Sequence, residues 1–176
     1  MELDQKGKKS LLEALLFISG DPLGAKEIQK ITGFSSGEIG YLMTELMAEY
    51  RDRGGGLLIR EVAEGYQMVT APEYAPYLRK LKETSPTRLS PASLETLAIV
   101  AYRQPITKAE IDELRGVSSD GVLKSLLERR LIRIVGKKEA PGRPLLYGTT
   151  KEFLLHFGLK DLSELPTIRE LSPDEL

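Results

Sequence analysis

Few residues in this chain are spaced as catalytic machinery is. Its one histidine, His156, follows the apolar run Phe153-Leu154-Leu155, and there is no cysteine. A zinc site of imidazole and thiolate ligands therefore cannot be assembled. No nucleophile has a base and an orienting group at recognisable spacing, and the carboxylates fall on helix faces and caps. Gly54-Gly55-Gly56 precedes a strand-like run and lacks the Lys-Ser/Thr ending of a phosphate loop, so it reads as a hinge. What remains is a basic loop, "GKKEAPGRP", carrying Lys137, Lys138 and Arg143. Such a loop is either a solvated surface loop or a place of weak, non-specific phosphate contact. Pro141 and Pro144 restrict the loop and so lower the ordering cost of docking. These types point to a binding protein, not an enzyme, with no metal and no cofactor.

The bulk composition agrees. The chain has 176 residues, 41% hydrophobic and 29% charged, with a net charge of −1. That suits one or two small globular domains without disulfides. The absence of cysteine fits a reducing cytoplasm. The opening "MELDQKGKKS" has no apolar core, so no signal peptide is expected, and no apolar run approaches the ~20 residues that span a bilayer. A dedicated nucleic-acid binder carries a basic excess that this chain lacks.

The elements that position the basic loop occur twice. Leu12, Glu13 and Leu15 match Leu94, Glu95 and Leu97; Pro22, Glu27, Ile28, Gly33, Ser35 and Ser36 match Pro105, Glu110, Ile111, Gly116, Ser118 and Ser119. Two copies are too few for a solenoid, so they read as sister domains. The expected layout is a flexible tail at 1–9, a first domain at 10–83, a linker at 84–89, a second domain at 90–160 and a tail at 161–176.

In the first copy, Ser10 and Glu13 make a capping box for a helix with Leu11, Leu12, Leu15, Leu16 and Ile18 as its stripe, ended by Gly20. A helix from Ala25 to Ile31 turns Ile28 and Ile31 inward. Ser35 and Glu38 cap a third helix, with Ile39, Leu42, Met43, Leu46 and Tyr50 at helical period. Strands flank a turn at Glu64-Gly65, and Thr70 with Glu73 caps a last helix bearing Tyr74, Tyr77, Leu78 and Leu81. In the second copy Ser90 caps and Pro91 takes the first helical position, with Leu94, Leu97, Ala98 and Ala101 inward. Thr107 and Glu110 form a capping box. Ser118 opens a helix with Val122, Leu123, Leu126 and Leu127. "LIRIV" and "LLYG" are strands around the basic loop, and Thr149 with Glu152 caps a helix holding Phe153, Leu154 and Phe157. Helices followed by a two-stranded wing give the fold class: mainly α with small β-hairpins, two tandem winged-helix domains, with Gly33 and Gly116 in the helix-turn-helix turns.

Such a fold raises DNA binding, because its third helix can enter the major groove. That helix should then carry cations and amides toward bases and phosphates. In the first copy its outward residues are Gly37, Glu38, Gly40, Tyr41, Thr44, Glu45 and Ala48, with no cation before Arg51. The second offers Asp120, Gly121, Lys124, Ser125 and Glu128, with Arg129 and Arg130 at its far end. Carboxylates there would face phosphate charge. The face through Gly37, Tyr41, Thr44 and Ala48 is small and uncharged around one aromatic, a candidate dimer contact. In the second wing Leu146 and Tyr147 alternate, so one of them faces outward.

The phrases "AYRQPIT", "RGVSSDG" and "GRPLLYGTT", within the long run from Leu94 to Leu159, closely resemble the second half of the segregation and condensation protein B family. "LLEALLFISGDPL" through "APEY" is similar to that family's N-terminal domain. The resemblance implies a non-catalytic subunit of the SMC condensin-like complex, homodimeric mainly through the first domain. It also implies binding to the kleisin, segregation and condensation protein A (ScpA). The SMC ATPase would be reached through the kleisin, at the nucleoid in the cytoplasm, with DNA contact at most weak and non-specific and no membrane contact. Within that frame the expected kleisin surface is Tyr102, Arg103, Gln104, Pro105, Lys137, Lys138, Arg143 and Tyr147. The alternative is a tandem winged-helix DNA-binding transcription regulator.

Overall fold

The structure, a computed structural model, describes residues 3–82 and 88–167. The chain divides into two compact units. One comprises Met1–Ser85 with Leu159–Asp161, the other Pro86–Gly158 with Leu162–Leu176. Residues 84–87 of the expected linker and 168–176 of the expected tail lie outside the described residues.

The first unit contains α1 (Gln5–Ser19), α2 (Ala25–Thr32), α3 (Ser36–Asp52), β1 (Leu57–Val62), β2 (Gly65–Thr70) and, after a 3-10 turn at Pro72–Tyr74, α4 (Ala75–Lys82). Leu12, Leu16, Ile28, Ile39, Leu42, Met43, Leu46 and Ile59 form its buried core. Ser35 caps α3 as its sequence signals, its hydroxyl accepting from Glu38 N at 3.2 Å.

Four local expectations change. Asp4, not Ser10, caps α1, its carboxylate accepting from Gly7 N at 2.7 Å, so residues expected as a flexible tail are helical. Those residues lack an apolar stripe, and ion pairs to α3, described below, hold them instead. Ile18 and Ile31 are 79% and 56% exposed. The short α2 touches α3 along a narrow stripe centred on Ile28, and the helical turn carries Ile31 past it. The hairpin turn is Ala63-Glu64, because Val62 pairs with Gly65; both turn residues have positive φ, 49° and 60°. That is the two-residue turn matching strand twist. Thr70 still pairs with Leu57, so Ala71 rather than Thr70 precedes the 3-10 turn, without a side-chain cap.

Gly65 serves a different purpose from the one expected. A Cβ there would stand 2.8 Å from the Leu23 carbonyl carbon and oxygen. This close approach lets Leu23 and Tyr66 exchange two backbone hydrogen bonds, each 2.9 Å.

The second unit contains α5 (Pro91–Arg103), β3 (Ile106–Thr107), α6 (Lys108–Arg115), α7 (Asp120–Glu128), β4 (Ile132–Lys137), β5 (Leu145–Thr149) and α8 (Lys151–Phe157). The antiparallel sheet runs β3-β5-β4. Ser90 caps α5 ahead of Pro91, and the Thr107–Glu110 capping box forms in full.

Here too the inner stripe shifts. Leu94 is 46% exposed and Ala98 is exposed, whereas Thr96, Leu97 and Val100 are buried. Thr96 tolerates burial because its hydroxyl donates to Ala92 O at 2.8 Å. Ser119, not Ser118, precedes α7, its N–H held by Asp112 Oδ1 at 2.8 Å. Thr150, not Thr149, caps α8, accepting from Phe153 N at 3.1 Å, since Thr149 is still paired to Ile132 in the sheet. Each unit has the winged-helix layout: three helices, a β-hairpin wing, and a further helix after the wing. No helix among the described residues is long and apolar enough to cross a membrane.

Candidate partner-binding surfaces

The outward side of α3 carries both the stripe expected to make dimer contacts and a row of carboxylates. Gly37, Tyr41 and Thr44 are exposed and Ala48 is half-buried, one face at helical spacing. Thr44 turns its hydroxyl back to Gly40 O at 2.8 Å, leaving its methyl as the group on offer. The Tyr41 hydroxyl donates to Glu45 at 2.5 Å. Beside this stripe the first turns of α1 reach across. Lys8 pairs with Glu38 at 2.6 Å, Lys9 lies 3.6 Å from Glu45 and also pairs with Glu49, and Gln5 donates to Glu45 at 3.0 Å.

Two of these carboxyls, Glu38 and Glu45, are held below their ordinary range, Glu38 chiefly by the Lys8 hydrogen bond and Glu45 chiefly by Tyr41. Lys9 is raised, first by Glu49. The helix that a DNA reader would lay in the groove therefore keeps Glu38 and Glu45 ionised, and the nearby lysines are already engaged with its carboxylates.

In the second unit the expected residues separate into presented and withheld groups. Arg103 and Pro105 are exposed at a groove of about 390 Å³ shared with Ile106, Glu113 and Leu114. Tyr102 is half-buried and donates its hydroxyl to Pro166 O at 2.7 Å. Gln104 turns inward, contrary to the expectation of a contact residue. Its amide donates to Thr149 Oγ1 at 3.0 Å, and its carbonyl accepts from Thr149 N at 2.7 Å. It thereby locks the α5–β3 turn to the end of β5. Tyr147 is 8% exposed, between Ile106 and Ile134 of the flanking strands, so it is a core residue and not a presented one. Period-two alternation leaves Leu146 or Tyr147 open, and the fold buries Tyr147 while Leu146 stays half-buried.

Of the wing cations, Lys138 is paired to Glu110 at 2.6 Å. The side chains of Lys137 and Arg143 are exposed without a partner among the described residues. Arg143 follows Gly142 at the loop tip, both with positive φ, 42° and 79°.

Sequence reasoning missed the apolar groups left in water. Phe17 at the end of α1 is 72% exposed and borders a groove of about 290 Å³ with Leu57 and Met68. Tyr77 and Leu81 on α4 are 71% and 81% exposed, although helical period alone would bury them. Ile134 and Val135 on β4 are likewise open. Apolar periodicity reports a face that seeks burial; it does not say whether this chain or another supplies the cover. No cluster of three or more metal-type ligands occurs among the described residues.

Together these features define a tandem winged-helix protein whose third helices are not laid out for reading bases. The chain belongs to the family described as segregation and condensation complex subunit ScpB, whose model matches residues 10–168. It is 51% identical over 170 residues to a segregation and condensation protein B of Syntrophotalea carbinolica, covering 97% of this chain and 86% of that one. It is 52% identical over 162 residues to that of Desulforamulus reducens, covering 92% and 90%. Among solved structures, ScpB from Mycobacterium tuberculosis is 38% identical, covering 90% of this chain and 99% of that one at a TM-score of 0.45.

Proposed function

We propose that this chain is a non-catalytic scaffold subunit of an SMC–kleisin complex, a homodimer that binds the kleisin ScpA and acts in chromosome condensation and segregation. It works in the cytoplasm and meets the nucleoid through that assembly. The SMC ATPase supplies the chemistry and is reached through the kleisin.

The observation that carries this reading is the dress of α3. Glu38, Glu45 and Glu49 line the face that a reader of bases would fill with cations, and Lys8 and Lys9 are engaged with them. Exposed apolar groups on the same domain, Phe17, Tyr77 and Leu81 among them, suit protein contact instead. The stripe Gly37, Tyr41, Thr44 and Ala48 is the proposed dimer contact, since small residues let a second copy approach closely. Arg103 and Pro105, with Lys137 and Arg143 of the wing, are the proposed ScpA contact. Tyr102, Gln104, Lys138 and Tyr147 support that surface from behind.

Co-expression with the cognate ScpA, followed by size exclusion with mass measurement, tests the assembly. A stable complex containing two copies of this chain is expected. Elution as a free monomer beside free ScpA would sink the proposal. Ala48→Glu should lower the mass of the isolated chain in light scattering, and Arg143→Glu should weaken ScpA capture. The unpaired cations near the second wing favour weak DNA contact as a secondary activity. It should disappear as salt is raised and show no sequence preference.

A further inference from the structure

The sheet of the second domain ends on β4, which pairs with β5 alone, so its outer edge has no neighbouring strand among the described residues. An unpaired edge presents backbone N–H and C=O groups, a template for another strand. Soluble proteins blunt such edges with charge, and this one carries Arg133 and Lys137. It nevertheless leaves two β-branched side chains in water: Ile134 is 48% exposed and Val135 42%. Arg129 and Arg130 come just before the strand and Arg143 in the loop after it. The side chains of these three and of Lys137 are exposed without a partner among the described residues. Glu128 and Glu139 are the carboxylates nearest in sequence, fewer than the cations.

We infer that the β4 edge accepts an extended acidic polypeptide segment as an added strand. Apolar side chains of that segment, all on one face, pack on Ile134, and its carboxylates pair with Arg129, Arg130, Lys137 and Arg143. The inference rests on the reading of the second wing as a partner surface and adds the chemistry of what it holds.

Charge selects this occupant. A second copy pairing edge to edge would set the same cations against one another, which is unfavourable. A nucleic acid would satisfy the cations but would place hydrated phosphate against Ile134. An acidic strand satisfies both, with main-chain bonds for affinity and side chains for specificity. The register shift between Ile134 and Gly136 bulges the strand, so the added strand is short and its side chains carry much of the selectivity.

The test uses the full chain and a fluorescein-labelled peptide alternating glutamate and valine, read by fluorescence anisotropy. Two further peptides are N-methylated on odd or on even residues, which removes the donors of one edge while keeping charge. Saturable binding of the plain peptide is expected, weakening with salt. It should be lost in one methylated form and in Ile134→Lys. Equal binding of all three peptides would mean charge alone and overturns the added strand. So does the absence of peptide binding when random-sequence duplex DNA binds. ScpA capture by the same protein separates the two readings. Capture that Arg143→Glu abolishes, without peptide binding, keeps the partner surface and overturns the strand. Methylation-sensitive peptide binding with capture indifferent to Arg143→Glu keeps the strand and overturns the ScpA contact.

Discussion

Lys138 Nζ lies 2.6 Å from Glu110 Oε1, so the second wing is tied to the first turn of α6. The other oxygen of Glu110 accepts from Thr107 N at 2.8 Å and Thr107 Oγ1 at 2.7 Å. One carboxylate thus closes a capping box and anchors a loop. Lys138 is thus engaged within its own domain, while the side chain of Lys137, one residue earlier, has no partner among the described residues.

The anchor should titrate. Lys138, then the Thr107 hydroxyl and N–H, hold the Glu110 carboxyl at about 2, against an ordinary value of 4.5. A depressed acid stabilises the fold above its unfolded pKa and loses that contribution as pH falls through the folded one. Urea midpoints of the parent chain and Glu110→Gln should therefore differ most above pH 4.5 and converge as pH falls toward about 2. A difference independent of pH across that window would show that the carboxylate charge is not what matters.

Two glycines should respond unequally to alanine. At Gly65 the new methyl would meet backbone, 2.8 Å from the Leu23 carbonyl, and would part Leu23 from Tyr66. At Gly148 it would meet side-chain ends, Gln104 Oε1 and Val135 Cγ1, each at 2.9 Å. Overpacking of this kind costs ~1–3 kcal/mol. Gly65→Ala should sit at or above the top of that range and Gly148→Ala near its foot, measured by equilibrium urea unfolding. Equal costs would contradict the distinction between backbone and side-chain neighbours.

The repeat makes a sharper test of packing. Leu12 and Leu94 are equivalent in the sequence alignment, yet Leu12 is 0% exposed and Leu94 46%. Leu12→Ala should cost ~2–5 kcal/mol as a buried truncation. Leu94→Ala should stay within about 0.5 kcal/mol in the isolated chain, as surface changes do. A comparable stability loss at both positions would contradict the unequal burial of the two leucines.

Arg130 ends α7 with φ at 57°, the place where a glycine would be expected. Leu131 N donates to Leu126 O at 3.0 Å and Arg130 N to Leu127 O at 2.9 Å, completing a Schellman closure around a residue that bears a side chain. Left-handed strain of ~1–3 kcal/mol is relieved by glycine, partly offset by the ~0.4–1 kcal/mol entropy of a freer unfolded chain. Arg130→Gly should raise the thermal midpoint, a net gain of about 1 kcal/mol. If the β4 edge binds acidic strands, the same change should weaken peptide binding, so stability and binding would move in opposite directions. An arginine kept at a strained position is what a binding role would produce.

The amino-acid sequence by itself determined the element order and the duplication. Both rest on local signals: the Ser35 and Ser90 caps, the Thr107–Glu110 box and helical period. It also indicated that α3 is dressed in carboxylates, because helical spacing alone assigns Glu38 and Glu45 to an outward face. Tertiary structure decided which apolar residues are covered and which cations are free. Ile18, Ile31 and Leu94 obey the period of a buried stripe and are exposed, because each helix is touched over a narrower arc than its apolar face. Lys138 and Gln104 look unpaired in the sequence and are not, since Glu110 and Thr149 reach them only once the chain has folded. The first turn of α1 has no apolar period, and it forms because Lys8 and Lys9 find carboxylates thirty or more residues away. Local propensity is written along the chain, whereas cover and pairing depend on which distant residues fold beside each other.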